Sequence, residues 1–241
     1  MGVRIRVQKA IAHSGLMSRR AAEAAIVAGR VQVNGEEVKL GDRVDVDEDV
    51  VTIDGIPTPV NPELQTYLLY KPAGVISTAD DPRGRPTVVD LIESGTRLYP
   101  VGRLDADSEG LILVSNDGEL TNRVTHPSFG ITKTYLAMVQ GVPRPTVIRR
   151  LEGGVELEDG TARAESARVV DAHRDSALVE LVMVEGRNRE VRRMLEDVGH
   201  PVIRLVRTAI GPLTDPDLGS GESRRLTAGE VRRLLESGAQ G

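Results

Sequence analysis

The sequence predicts an α+β fold in two parts: a small helix–helix–sheet domain, then a larger domain with a mainly antiparallel mixed sheet flanked by helices. Three observations predict it. Helical spacing of apolar residues gives way to two-residue alternation within the first 55 positions. A proline-interrupted stretch follows, with Pro57, Pro59 and Pro62. Beyond it, strand-like runs outnumber helical ones and do not alternate with them regularly. That pattern favours antiparallel α+β over a βαβ repeat.

The elements follow in order. Residues 4–14 read as a short helix, with Ile5, Ala10 and Ile11 apolar among bases and Gly15 behind. Ser18 is a good N-cap for a second helix from Arg19 to Ala28, closed by Gly29. Val31 and Val33 then alternate with polar residues. Asn34-Gly35 signals a two-residue hairpin, because both turn positions want positive φ. Val44, Val46 and Val50–Ile53 give further strands, ended by Asp54-Gly55. The prolines place a linker at 56–64, dividing the chain into a domain of residues 1–60 and one of 61–241.

In the second part, Tyr67–Tyr70 is a strand broken by Lys71-Pro72-Ala73-Gly74, and 78–86 is a long polar loop. A short helix is expected at 88–92 and a strand at 111–114. Asn116-Asp117-Gly118 turns into a helix at 119–125. Strands at 135–140 and 177–184 precede a helix at 189–198, capped by Asn188 and closed by Gly199. Val202–Val206 is another strand. Residues 214–224 read as a mobile loop. Thr227-Ala228-Gly229-Glu230 is a capping box opening the last helix.

The 241 residues are 39% hydrophobic and 28% charged, which is ordinary for a globular chain able to bury a core. No cysteine is present, which excludes disulfides and cysteine-ligated metal. His13, His126, His173 and His200 lie too far apart for a zinc-type spacing. No apolar run reaches the roughly 18–20 residues of a membrane span. Arg4 and Arg6 lack the apolar block of a signal peptide, and Met1-Gly2 lacks the Ser or Thr of a myristoylation site. These readings predict a soluble, cytoplasmic protein without metal or membrane partner. The net charge of −5 conceals a division: residues 1–35 carry +5 and residues 36–66 carry −7. Phosphate contact needs only such a local basic patch.

The segment 101–118 gathers acids and hydroxyls just before an apolar strand: Gly102-Arg103-Leu104-Asp105, then Asp107, Ser108 and Glu109. Loops held at a sheet edge often carry catalytic groups. On the residues alone, a polar turn and a chemical site both remain open. Calcium is disfavoured, since the glycine and terminal glutamate of a binding loop are misplaced. A two-carboxylate glycosidase is disfavoured too, because its sugar cleft needs aromatics and these make up 2% of the chain.

Gly102-Arg103-Leu104-Asp105, with Ser108-Glu109-Gly110-Leu111 and Asn116-Asp117-Gly118, resembles the signature of the RsuA/RluB-type pseudouridine synthases. Three further stretches match in order: Leu69-Tyr70-Lys71-Pro72-Ala73-Gly74, Lys133-Thr134-Tyr135, and Glu185 to Met194. The first 55 residues resemble the small RNA-binding domain, related to a ribosomal protein, that commonly precedes this catalytic domain. Similarity thus covers nearly the whole chain and leans to the large-subunit RluB type. Ser108 stands where threonine is frequent, a minor departure.

The resemblance implies isomerisation of a specific uridine to pseudouridine in ribosomal RNA without a cofactor, with the 23S RNA or a precursor subunit as partner and the enzyme acting as a monomer. Asp105 corresponds to the catalytic aspartate, an acid ionised at neutral pH without a helper base. Tyr135 corresponds to the tyrosine that stacks on the flipped base, with Tyr70 as runner-up. Arg192 corresponds to the basic partner of the aspartate; on a helical wheel it flanks the buried stripe, while Arg189 and Arg193 point outward toward phosphates. Arg103 is expected to position RNA. Lys9, Arg19, Arg20 and Arg30 are the expected docking cations of the N-terminal domain. The rival reading is a non-catalytic, rRNA-binding ribosome-assembly factor, which has no need to keep Asp105, Tyr135 and Arg192 together.

Overall fold

Two tight turns set the first part of the fold. Asn34-Gly35 and Asp54-Gly55 each hold two successive residues at positive φ (53° and 85°, 52° and 76°), so each closes a two-residue hairpin. The computed structural model describes residues 4–46, 48–58, 60 and 63–238. Within the first part these give β1 (Arg4–Arg6), α1 (Val7–His13), α2 (Arg19–Val27), β2 (Val31–Val33), β3 (Glu36–Glu37), β4 (Arg43–Asp45), β5 (Val51–Ile53) and β6 (Ile56–Thr58). The strands form a sheet of order β3-β2-β5-β6 and a separate pair, β1-β4. The Ser18 side chain accepts from Ala21 N, the cap expected for α2. Val7, Ile11, Ala22, Ile26, Val31 and Val44 share the core.

The second part contains β7 (Thr66–Lys71), β8 (Tyr99–Val101), β9 (Glu109–Ser115), α3 (Gly118–Thr125), β10 (Lys133–Gln140), α4 (Pro145–Gly153), β11 (Val155–Leu157), β12 (Gly160–Ala162), β13 (Ser166–Ala172), β14 (Ser176–Met183), α5 (Glu190–Asp197), β15 (Val202–Ile210), β16 (Ser223–Arg225) and α6 (Ala228–Ser237). The main sheet runs β13-β14-β10-β15-β9-β7-β16, with β8 also paired to β9. β13, β14, β10 and β15 pair antiparallel, as do β7 and β16, whereas β15 meets β9 in parallel. The architecture is therefore α+β with a mixed, mainly antiparallel sheet. By compactness, one unit gathers the chain up to Gln65 with Glu93–Tyr99 and Ser115–Gly118, and the other gathers Thr66–Ile92, Pro100–Val114 and the chain from Glu119. Among the described residues no helix is long and apolar enough to cross a membrane.

Several expectations need correction. The first helix begins at Val7: Arg4–Arg6 pair with β4, and Ile5 packs on the core as an alternating strand residue. Residues 88–92 form turns, not a helix. Asp90 accepts from Thr87 N and Oγ1 at 2.8 and 2.9 Å, closing a single turn that Ser94-Gly95 does not continue. Ile56–Thr58, expected as linker, is an edge strand, where Pro57 loses no needed ladder bond. Pro59, Asn61 and Pro62 lie outside the described residues. The loop at 214–224 ends in β16 and is tied by Arg224 to Asp215 and Glu230. Asn188 does not cap α5; its N-cap is Arg189 in the left-handed conformation (φ 49°), without a side-chain cap. β15 runs four residues past its expected end at Val206. The capping box of α6 is present as expected.

Gly110 fixes the parallel crossing. It lies at φ 103°, and a Cβ there would sit 2.2 Å from the carbonyl oxygen of Arg207. Gly110→Ala is expected to cost roughly 2–5 kcal/mol, combining backbone strain and overpacking, and so to lower the thermal midpoint by about 5–20 °C. A melt within a degree or two of wild type would contradict that constraint.

Candidate active site

Asp105 lies in the turn between β8 and β9, and its position is set by bonds to its neighbours. Ser77 Oγ accepts from Leu104 N at 3.1 Å and donates to Leu104 O at 2.8 Å. Asp105 O accepts from Ser108 N at 3.0 Å, and Ala106 O accepts from Gly74 N at 2.7 Å. Lys71 completes the clamp. It is fully buried, and its Nζ donates to the carbonyls of Pro72 (2.9 Å), Val75 (2.7 Å) and Ala106 (3.4 Å). One ammonium thus joins the end of β7 to the turn carrying Asp105. Burial lowers the Lys71 pKa to about 8, opposed by the nearby carboxylates of Asp107, Glu109 and Asp105.

The carboxylate of Asp105 is 25% exposed and lines a cleft of about 230 Å³. That is smaller than the roughly 300–1,000 Å³ of a typical drug-sized site, and it suits a single base. The cleft is walled by residues 101–105, by Lys133 and Tyr135 of β10, by Met183 and residues 185–191, and by Leu205, Arg207 and Ile210 of β15. Tyr135 is buried in that wall, whereas Tyr70 of β7 packs against the core. Arg103 is exposed and also lines the cleft. Lys133 donates to Val124 O at 2.9 Å and Ile131 O at 2.7 Å, and burial, reinforced by Arg207, lowers its pKa to about 8.

The arginines do not take their expected places. Arg192 does not pair with Asp105: its Nη2 donates to Asp107 O (2.9 Å) and Ser108 Oγ (3.3 Å), with the Asp107 carboxylate at 3.5 Å. Arg189, expected to point outward, forms a two-bond pair with Asp107 (3.0 and 3.1 Å) and approaches Asp105 to 3.9 Å. The physical reason is its left-handed backbone at the start of α5, where helical-wheel geometry does not apply. The pair holds the Asp107 carboxyl below the usual range. Arg193 is engaged by Asp159 at 2.8 and 2.9 Å. Among the expected docking cations, Arg19 and Arg20 are exposed on α2, Lys9 is half-buried on α1, and Arg30 is held by Asp54 through two bonds. Arg19 makes a loose pair with Glu23 at 3.8 Å.

Arg207 is the residue that sequence reasoning missed. It occupies the inward phase of β15 between buried Leu205 and Ala209, and it is 5% exposed. Its register partners are Tyr135 on β10 and Gly110 on β9. Nε donates to Leu111 O at 2.6 Å, Nη1 approaches the Tyr135 hydroxyl at 3.5 Å, and Nη2 is buried without a partner. A charge in the apolar phase of an alternating strand is the signal that could have found it.

Chemically, the cleft brings together a carboxylate, an aromatic wall and buried cations. The comparisons with known proteins point the same way. Residues 65–197 match the RNA pseudouridylate synthase family model, and residues 5–51 match the S4 domain. The chain is 44% identical to ribosomal large subunit pseudouridine synthase B of Bacillus subtilis, over 95% of each chain. It is 48% identical to an RNA pseudouridine synthase of Mycobacterium leprae, covering 96% of this chain and 93% of that one. A crystal structure of a pseudouridylate synthase superposes with a TM-score of 0.67 at 31% identity, covering 95% of this chain and 99% of the other.

The depressed lysines carry a pH signature. Between pH 8 and 10.5 the unfolded chain binds more protons at Lys71 and Lys133 than the folded one, so their contribution to stability rises with pH across that window. The thermal midpoint of the wild type, measured against Lys133→Met, should therefore climb from pH 8 to 10.5. A gap that stays constant would rule out the depressed pKa of Lys133.

Proposed function

The chain belongs to the RNA pseudouridylate synthase family, and we propose that it converts one uridine of large-subunit ribosomal RNA to pseudouridine. The observation that carries this reading is Asp105, held by backbone clamps in a base-sized cleft that Tyr135 also lines. The naming of a Bacillus subtilis relative as a large-subunit synthase supports the choice of RNA. The enzyme works in the cytoplasm as a single chain, without cofactor.

The reaction breaks the bond between uracil N1 and ribose C1′, turns the base, and joins C5 to C1′. Stacked bases are inaccessible in a duplex, so the uridine must be flipped into the cleft. Tyr135 gives the base a face to stack on, a contact worth roughly 1–3 kcal/mol. Asp105 is the nucleophile, engaging the uridine at the ring or the sugar. Arg189 and Arg192 hold the Asp107 side of the turn, so they position the carboxylate through the loop. Arg103 at the cleft and Arg19 and Arg20 on α2 meet phosphates, and the S4 domain docks the structured RNA.

Asp105→Asn should lower single-turnover pseudouridine formation by at least about 10³-fold, with RNA affinity within severalfold of wild type. Residual turnover near the wild-type rate would remove Asp105 from the nucleophile role. Replacing Arg19 and Arg20 together by Ala should weaken RNA binding and reduce the salt slope of log K by about 1.4–1.8, as expected for two lost phosphate contacts. An unchanged slope would mean that α2 does not touch the backbone.

A further inference from the structure

Arg207 is an uncompensated buried charge. Among the described residues no carboxylate lies within ion-pair distance of its guanidinium, and two lysines of lowered pKa, Lys71 and Lys133, feel its field. Leu205 and Ala209, the flanking residues of the same strand face, are buried and apolar. Folding alone would be better served by a third apolar residue there, since a buried cation without an acid is costly. The guanidinium is nevertheless held in place. Leu111 O anchors Nε, Tyr135 touches Nη1, and Gly110 allows the Arg207 backbone to approach β9. What remains free is Nη2, buried and unpartnered on a residue that lines the Asp105 cleft.

We infer that Arg207 is a further catalytic residue, whose Nη2 donates to a carbonyl oxygen of the flipped uracil and stabilises the negative charge the base acquires during isomerisation. The inference rests on the reading of the cleft as a uridine-isomerising site. When the N1–C1′ bond breaks, its electron pair stays with the base, and the charge on N1 spreads to O2 and O4. In the sugar route the Asp105 carboxylate takes the place of N1 on C1′. The base then turns, and a ring electron pair forms the C5–C1′ bond as the Asp105–C1′ bond breaks and the carboxylate leaves. The C5 proton leaves, and N1 takes up a proton. Attack on the ring instead of the sugar also places the transient charge on a carbonyl oxygen. Either route requires a donor at that oxygen. A fixed cation in a water-poor pocket is most effective where charge develops in the transition state. Tyr135 would hold the base face while Arg207 holds its edge.

The test compares Arg207→Lys with Arg207→Gln, two side chains of similar size that differ in charge. Each is measured for thermal midpoint, RNA affinity and single-turnover pseudouridine formation. Arg207→Gln should lose about 10²–10³-fold in rate, with RNA affinity within threefold. Arg207→Lys should be at least tenfold faster than Arg207→Gln. Folded variants with equal rates, or a Gln variant as fast as wild type, would overturn the role. Should the Gln variant fail to fold, Arg207→Ala assayed with added ethylguanidinium decides. Saturable recovery of rate supports the assignment, and no recovery in folded protein overturns it. Failure of the functional reading is distinguishable, because wild type itself would then form no pseudouridine on ribosomal RNA.

Discussion

The close approach of two backbones, Gly110 on β9 and Arg207 on β15, is the constraint on which the site depends. No side chain fits between them, since a Cβ would come within 2.2 Å of a carbonyl oxygen. The contact sets the parallel register Arg207 to Gly110 and Val206 to Glu109. That register brings the Arg207 side chain under Leu111 O and beside Tyr135. It also fixes where β9 starts, and so where the preceding turn presents Asp105. A glycine with no side chain thus sets the geometry of the cleft residues Asp105, Tyr135 and Arg207.

Around this crossing, cations serve largely as struts. Lys71 and Lys133 are consumed by backbone carbonyls, and Arg192 by Asp107 O and Ser108. Arg187 reaches the carbonyls of Asp159 and Gly160, and Arg193 the Asp159 carboxylate, so the start of α5 is fastened to the β11–β12 hairpin. A run of arginines near a catalytic loop therefore reads ambiguously. Here much of its charge is spent on holding loops that have little regular structure of their own. Charge-assisted bonds suit this use because they are short and directional.

Much of the fold was legible because its signals are local. Asn34-Gly35 and Asp54-Gly55 need only their own backbone preferences, and Ser18 and Thr227 cap helices through residues three positions away. Asp105 stood out as an acid before an apolar strand, although the residues alone favoured a plain polar turn. What escaped depended on partners distant in sequence. Buried Lys71 joins the carbonyls of its neighbours Pro72 and Val75 to that of residue 106, a link no local pattern announces. Arg189 was assigned a direction by a helical wheel, but its left-handed backbone turns it toward Asp107. Arg207 was lost because β15 was expected to stop at Val206, one residue short of it.

The place of β15 in the sheet has a consequence for how the protein is made. This strand leaves the ribosome well after β9 and β10, yet it sits between them in the sheet. Until Val202–Ile210 emerge, the nascent sheet is split into two halves, each offering an unpaired strand edge that invites misassociation. Inserting a central strand after both of its neighbours makes long-range closure a slow step of folding. It also makes competence all-or-none, because Arg207, the Gly110 crossing and one wall of the cleft arrive together. A chain synthesised only as far as α5 already holds the whole segment that matches the S4 domain, while the Asp105 cleft still lacks one wall, so the two parts of the molecule are completed at separate times.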